Sequence, residues 1–139
     1  MSKKKINIAV IGATGYTGLD LVLLLSKHPK ANIISLCATK NLGKKISFFD
    51  KRIKKKLPRI SSVNKIVWSK IDIAFLSLPN GEAHNLVKKV YYKNKNVKFI
   101  DLSADFRITN SKEYKKNYNK EHGAVNLIKD SIYSISEFV

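Results

Sequence analysis

The sequence has few cysteines, prolines and tryptophans. Its 139 residues include one cysteine, three prolines and one tryptophan. A single thiol, Cys37, excludes an internal disulfide framework and a cysteine-rich zinc site, and it agrees with a reducing, cytosolic setting. The three histidines are separated in the sequence and lack metal-ligand spacing. No metal site is therefore predicted.

Long apolar runs are also missing. The longest, such as residues 71–78, fall far short of the roughly 20 residues that a helix needs to cross a bilayer. The first five residues include three lysines, and the apolar stretch that follows them, Ile6–Ile11, is too short for a signal peptide. It leads into a glycine motif rather than a small-residue cleavage site. Neither a membrane span nor a targeting segment is predicted.

Acidic residues are scarce. Lys and Arg number 27 against 10 Asp and Glu, which gives a formal net charge of +17. Such an excess can attract nucleic acid or anionic membranes. The lysines are scattered, however, and the one dense basic run, residues 51–56, contains no aromatic side chain on which a base could stack. We interpret the charge as a solvated surface. The alternative, a basic nucleic-acid-associated protein, predicts steeply salt-dependent binding without nucleotide preference.

Apolar strands alternate with helical patterns along most of the chain. The hydrophobic fraction of 44% is enough for one ordinary domain. Helices are predicted at residues 19–27, 82–92 and 111–121, and strands at 6–11, 32–38, 63–68, 72–78, 97–102 and 132–135. This alternation predicts an α/β fold: a Rossmann-like, doubly wound, mostly parallel sheet with right-handed crossovers. Residues 39–65 show no regular pattern.

Three glycines, Gly12, Gly15 and Gly18, follow the first strand and lead into the first helix. A doubly wound fold binds a pyrophosphate at this position. The first glycine allows a sharp turn, the second leaves room for the phosphates, and the third lets the helix pack closely. The N–H groups of the first helical turn then face the anion. The alternative is a turn that uses glycines for its own geometry. The predicted pyrophosphate-binding residues are Gly12, Thr14, Gly15, Tyr16, Thr17 and Gly18.

The end of the second strand indicates which dinucleotide binds. An NAD site usually has an acidic residue there for the ribose hydroxyls, whereas this sequence has Thr39 and Lys40. The threonine hydroxyl can donate a hydrogen bond, and the lysine is a point charge suited to a 2′-phosphate. The sequence therefore predicts NADP. The alternative is that Lys40 is one more surface lysine.

Three segments together resemble one known family. They are residues 12–18 (GATGYTG), 75–81 (FLSLPNG) and 100–107 (IDLSADFR). In combination they resemble N-acetyl-gamma-glutamyl-phosphate reductases, the arginine-pathway members of the semialdehyde dehydrogenase group. The tail, with Glu121, His122 and residues 133–138, is similar to the family's approach to its active site. Two departures stand out: Asn80 replaces the usual histidine, and residues 134–138 replace Gly-Leu-Pro-Glu-Leu.

The resemblance implies an NADPH-dependent reduction of an acyl phosphate. In the family a cysteine thiolate forms a thioester with the substrate, which hydride then reduces to an aldehyde. That cysteine comes from an Asn-Pro-Gly-Cys-like segment shortly beyond the equivalent of Val139. Residues 1–139 are therefore expected to form the cofactor domain of a longer two-domain enzyme. This part alone is expected to be inactive, and the full-length enzyme to be a cytoplasmic homo-oligomer.

The resemblance also implies roles for residues that follow two later strands. Leu78 and Pro79 would line the cofactor crevice, while Ser103 and Arg107 would bind the substrate phosphate. The alternative for Arg107 is an ion pair with Asp101 or Asp105. Cys37 is interpreted as a small buried hydrophobic residue, and His84 as a surface or packing residue. Two alternative functions remain: a free-standing dinucleotide-binding module, and an aspartate-semialdehyde dehydrogenase-like cofactor domain.

Overall fold

Parallel strands and helices alternate along the part of the chain that the computed structural model describes, residues 4–79 and 81–103 with Lys112, Leu127 and Ile132. The helices are α1 (Tyr16–Ser26) and α2 (Glu82–Val90). Single 3-10 turns occupy Ile46–Phe48, Val63–Lys65 and Trp68–Lys70. The strands are β1 (Ile6–Ile11), β2 (Ala31–Cys37), β3 (Ile60–Ser61), β4 (Ile73–Leu76) and β5 (Lys98–Asp101).

The strands form one sheet in the order β3-β2-β1-β4-β5. Every pairing between them is parallel, and Ile8 at the centre is in register with Ile33 on one side and Ile73 on the other. The chain builds outward from β1 through β2 to β3, then crosses over to build β4 and β5. The direction of winding therefore reverses between β1 and β4, and a doubly wound sheet binds ligands in the crevice at such a point. The predicted Rossmann-like fold is confirmed.

The central strand is apolar on both faces, as a strand covered on both sides must be. Side chains alternate along it, so Ala9 and Ile11 enter one core while Ile8 and Val10 enter the other. The first core is closed by α2 and the second by α1 together with the segment between β2 and β3. The buried side chains supplied by these covering elements are Ala83 and Val87 for the first core, and Val22, Ile46 and Ile53 for the second.

Two predicted elements differ from the observed ones by more than two residues at a boundary. Helix α1 begins at Tyr16, three residues before its predicted start, because Gly18 is accommodated within the first turn. The strand predicted at residues 63–68 is wrong: the edge strand is Ile60–Ser61, and 3-10 turns follow it. The hydroxyl of Ser62 accepts a hydrogen bond from the N–H of Asn64, which bends the chain out of the sheet. The elements predicted at 111–121 and 132–135 fall outside the described residues, apart from Lys112 and Ile132.

Candidate dinucleotide-binding site

The loop after β1 meets the end of β4 at Gly12. This residue has a φ of 84°, a conformation that a residue with a side chain rarely adopts. A Cβ atom placed there would overlap the carbonyl oxygen of Ser77 and lie 3.4 Å from Cδ2 of Leu78. The two strands that flank the switch point therefore approach each other at a place that only glycine can fill. The sequence predicted the turn but did not reveal Ser77 as its neighbour.

The end of β2 is bonded to the same loop. The carbonyl oxygen of Cys37 accepts hydrogen bonds from the N–H groups of Gly12 at 2.9 Å and Ala13 at 3.0 Å. These bonds satisfy two N–H groups of the loop through the protein itself. They also fix where the chain leaves β2, so that Thr39 and Lys40 start beside the glycine loop.

The N-terminus of α1 has unfilled space and free N–H donors. Gly15 is its N-cap residue, no side chain caps the helix, and its first turn contains no acidic residue. The φ of Gly15 is −74°, and a Cβ atom there would meet only the carbonyl oxygen of Gly12, at 3.8 Å. The chain's own packing thus does not require glycine at this position. An anion that approaches the uncapped N–H groups of the first turn would require glycine here, because a side chain would occupy its space.

Gly18 has a different reason to be glycine. A Cβ atom there would overlap the carbonyl oxygen of Gly12 and lie 3.0 Å from two backbone atoms of Ala13. The helix is therefore pressed against the loop that precedes it. Around this contact Thr14 is half-buried and Thr17 is exposed, while Tyr16 is 95% exposed. The predicted phosphate-binding residues lie together around the start of α1.

The chain turns sharply after β2, directly beyond Thr39 and Lys40, both of which are exposed. Asn41 has a φ of 61° and Gly43 a φ of 85°. The turn is held against β3, because the N–H of Gly43 donates to the carbonyl oxygen of Ile60 at 2.7 Å. An ordered turn thus presents the pair predicted to recognise the 2′-phosphate, in a segment where the sequence indicated no regular structure.

Arg59 makes a contact with this turn that the sequence gave no sign of. Its Nη1 donates a hydrogen bond of 2.9 Å to the carbonyl oxygen of Gly43, 16 positions earlier. The other arginine of this region, Arg52, is used differently: its guanidinium bonds to Asp50 at 2.7 Å and to Asp20 of α1 at 3.0 Å. These hydrogen bonds from Arg52 lower the pKa of Asp50 below its ordinary value. Asp50 is mostly covered, with its side chain 10% exposed.

Leu78 and Pro79 follow β4 at the crevice. The N–H of Ser77 donates to the carbonyl oxygen of Ile11 at 2.8 Å, which continues the sheet past the end of β4. Leu78 is half-buried against Gly12, and Pro79 is exposed. The carbonyl oxygen of Pro79 accepts from the N–H of Glu82 at 3.1 Å, where α2 begins. Both residues therefore lie at the crevice edge of the sheet, and their role in cofactor binding stays a prediction.

Ser103 lies at the same edge of the sheet, after β5. The N–H of Leu102 donates to the carbonyl oxygen of Leu76 at 2.9 Å, which brings this segment beside the end of β4. The carboxylate of Asp101 accepts from the N–H of Ser103 at 2.8 Å and from its hydroxyl at 2.9 Å. A phosphate would have to take the hydroxyl hydrogen from Asp101, so the role of Ser103 stays a prediction. Arg107 lies outside the described residues.

Cys37 and His84 are both buried. Cys37 is 1% exposed, and burial raises the pKa of its thiol although the hydroxyl of Ser61 lies 3.9 Å from Sγ. A thiol that stays protonated is a poor nucleophile, in agreement with the structural interpretation. His84 is 3% exposed and belongs to α2 beside the buried Ala83 and Val87, in agreement with a packing role.

Neither a metal-binding cluster nor a helix suited to a membrane is found among the described residues. Within residues 4–79 and 81–103 and the three isolated positions, no group of three or more His, Cys, Asp or Glu side chains is arranged to hold a metal ion. Across the same part of the chain, no helix combines the length and the apolar character that a membrane crossing needs.

The chain was compared with known proteins. Residues 7–139 match the family described as semialdehyde dehydrogenase, NAD binding domain. Proteins named N-acetyl-gamma-glutamyl-phosphate reductase are similar to it: those of Ehrlichia ruminantium (strain Gardel) and Ehrlichia canis are 42% and 43% identical over 135 residues. Those 135 residues are 96% of this chain and 38% of each relative. The chain therefore spans little more than a third of the length of these curated relatives.

Solved structures show the same fold. An aspartate semialdehyde dehydrogenase II from Vibrio cholerae superimposes with a TM-score of 0.59 at 25% identity, over 75% of this chain and 30% of that chain. A Candida albicans aspartate semialdehyde dehydrogenase solved with NADP gives 0.58 at 23% identity, over 75% and 31%. The resemblance that three sequence segments indicated is thus confirmed by matches over nearly the whole chain, and the chain belongs to the semialdehyde dehydrogenase NAD-binding domain family.

Proposed function

We propose that residues 1–139 are the NADP-binding domain of a longer two-domain reductase that converts N-acetyl-gamma-glutamyl phosphate into N-acetyl-glutamate semialdehyde. The observation that carries the proposal is the uncapped start of α1, with open space at Gly15, at the point where the sheet reverses its winding. The names of the relatives support the choice of reaction. One NADPH and one proton are consumed, and one NADP⁺ and one phosphate are released.

The described residues fit a dinucleotide. The N–H groups of the first turn of α1 bind the pyrophosphate, helped by the helix dipole. Gly15 leaves room for it, and Leu78 borders the crevice beside Gly12. When bound, the cofactor supplies the hydride. The first turn of α1 would hold that cofactor by its phosphates, at the crevice between β1 and β4.

NADP is preferred over NAD because of the turn after β2. Thr39 and Lys40 are exposed there, and residues 38–43 contain no acidic side chain that would repel a 2′-phosphate. A lysine ammonium at this position supplies the positive charge that a phosphate needs. Thr39 adds a hydroxyl donor.

The acyl-phosphate chemistry needs residues other than Cys37. Its thiol is buried in the core, and its raised pKa keeps it protonated. The nucleophilic cysteine therefore comes from the remaining part of the longer protein, and Ser103 with Arg107 binds the substrate phosphate. We further propose that the whole enzyme is a cytoplasmic homo-oligomer.

The reaction is tested with the full-length protein in the reverse direction. N-acetyl-glutamate semialdehyde, NADP⁺ and phosphate should produce NADPH, followed by its absorbance, and omission of phosphate should abolish the signal. Aspartate semialdehyde is the matched control substrate. Activity with aspartate semialdehyde but not with N-acetyl-glutamate semialdehyde would refute the proposed substrate. Nucleotide binding without activity on either substrate would favour a binding module.

Cofactor choice is tested by replacing Lys40. Lys40→Met should weaken NADPH binding about tenfold, since one cation–phosphate contact is worth that much, and should leave NADH binding unchanged. Lys54→Met is the control, because Lys54 is an exposed lysine of the neighbouring basic run and gives the same change in net charge. Equal dissociation constants for the two nucleotides in the unaltered protein would refute the assignment of Lys40.

A further inference from the structure

Arg59 and its neighbour Ile60 hold both backbone polar groups of Gly43. The guanidinium of Arg59 donates to the Gly43 carbonyl oxygen at 2.9 Å, and the carbonyl oxygen of Ile60 accepts from the Gly43 N–H at 2.7 Å. A third bond runs from the N–H of Ile60 to the carbonyl oxygen of Lys44 at 3.0 Å. The turn that follows Lys40 is thus attached to the start of β3 at three points.

The turn needs this attachment. Asn41 and Gly43 both have left-handed backbone conformations, with φ of 61° and 85°, and Asn41 adopts its conformation with a side chain attached, which residues other than glycine do only uncommonly. The bond that closes the turn, from the N–H of Lys44 to the carbonyl oxygen of Asn41, is long at 3.3 Å. A Cβ atom at Gly43 would have no neighbour within 4 Å, so packing does not hold the turn from that side. Hydrogen bonds to residues 59 and 60 therefore set its conformation.

Arg59 is available for this role because it is not engaged elsewhere. Within residues 4–79 and 81–103, the ion pairs are those of Arg52 with Asp20 and Asp50. Arg59 is exposed, and its guanidinium carries five N–H donors in a fixed plane. The carbonyl oxygen of Gly43 accepts a hydrogen bond from one of them. This bond offsets the rotational freedom that the long side chain loses when it is held in place.

We infer that Arg59 is a positioning residue for the choice of NADP over NAD: its bond to the Gly43 carbonyl fixes the turn that presents Lys40 to the 2′-phosphate. The inference rests on the proposed function. Without that bond the turn samples other conformations, and ordering Lys40 on binding costs affinity for the phosphorylated nucleotide alone. Binding of the pyrophosphate at α1 does not depend on this turn.

The test measures dissociation constants of NADPH and NADH by titration of their fluorescence with the full-length protein. Arg59→Met keeps the length of the stem and removes the donor. It should weaken NADPH binding about five- to tenfold, the value of one ordinary hydrogen bond, and leave NADH binding within about twofold. Arg59→Lys restores a donor and should recover part of the preference. Lys54→Met, with the same change in charge, should leave both constants as they are.

A double variant separates positioning from direct contact. If Arg59 acts through Lys40, then Arg59→Met adds nothing in a protein that already carries Lys40→Met, because contacts that work through one another are not additive. Additive losses would show that Arg59 binds the nucleotide itself, and would overturn the inference.

The remaining outcomes are distinct. Equal weakening of both nucleotides by Arg59→Met would mean a general structural role, and an unchanged preference would mean no role; either result overturns the inference while the proposed function stands. Failure of the unaltered protein to bind either nucleotide would overturn both. If Arg59→Met does not fold, Arg59→Gln, which keeps an amide donor for the Gly43 carbonyl, is measured against the same expectations, with a smaller loss.

Discussion

The loop after β1 and the turn after β2 lie on neighbouring strands, yet they are built by different means. The first is fixed by backbone contacts: Gly12 against Ser77, and Gly18 against Gly12. The second presents exposed side chains, Thr39 and Lys40, and is fixed from β3. The two segments therefore have different expected roles. The backbone of the first binds the pyrophosphate that all dinucleotides share, and the side chains of the second distinguish NADP from NAD by its 2′-phosphate.

The largest effect is expected from Gly12→Ala. The new methyl group would overlap the carbonyl of Ser77, and the left-handed backbone would add strain. The free energy of unfolding should fall by roughly 2–4 kcal/mol, and binding of both nucleotides should be lost. Thermal or urea unfolding and nucleotide titration measure the two effects. A variant of normal stability would show that the strands do not need to approach so closely.

Gly15→Ala sharpens the comparison, because space in the protein is open there. The free energy of unfolding should fall by less than about 1 kcal/mol, the cost of alanine at an N-cap. Binding of NADPH and NADH should nevertheless weaken by about tenfold or more, and to the same extent, since the methyl group occupies the place of the shared pyrophosphate. Titration of both nucleotides checks this. Unchanged affinities would mean that Gly15 serves only the geometry of the turn and does not make room for the pyrophosphate.

The backbone and the side chain of Cys37 have different roles, which a single substitution can distinguish. Its carbonyl oxygen bonds to the glycine loop, whereas its thiol packs in the core. Cys37→Ala keeps the carbonyl and should cost about 1 kcal/mol of stability through a small cavity, with nucleotide affinities unchanged. Unfolding curves and titration of NADPH measure these effects. A selective loss of affinity would place the thiol, rather than the carbonyl, in contact with the site.

The smallest effect concerns the carboxylate of Asp50, beside Arg52. Because its pKa is lower in the folded protein than in the unfolded chain, it stabilises the fold above its unfolded pKa, about 4, and that contribution fades as the pH falls through the folded value. Asp50→Asn should lower the melting temperature slightly at neutral pH, and the difference should vanish in acid. Melting temperatures across pH 3–8 measure this. A constant difference would mean that packing, rather than charge, holds Asp50.

The sequence predicted the backbone-built part of the site better than the part built from side chains. Glycines at positions 12, 15 and 18 mark a loop whose geometry is local, and apolar β-branched runs mark the strands on either side. Local chemistry explains the strand wrongly predicted at 63–68, since the hydrogen bond between the nearby residues Ser62 and Asn64 favours a turn over a strand there. The contact of Arg59 could not be found in this way, because a bond to a backbone carbonyl 16 positions away has no residue pattern.

The meeting of Gly12 with Ser77 also bears on how this domain acquires its fold. Strands β1 and β2 join through the short α1 connection, but Ile8 and its partner Ile73 on β4 are 65 positions apart. Contacts between residues so far apart in the sequence form slowly, because the chain loses the entropy of closing a long loop before the contacts can stabilise it. The crevice is thus complete only after the most distant pairing in the sheet has formed. A dinucleotide that spans it binds the finished domain alone, and by mass action it favours that state over the unfolded chain.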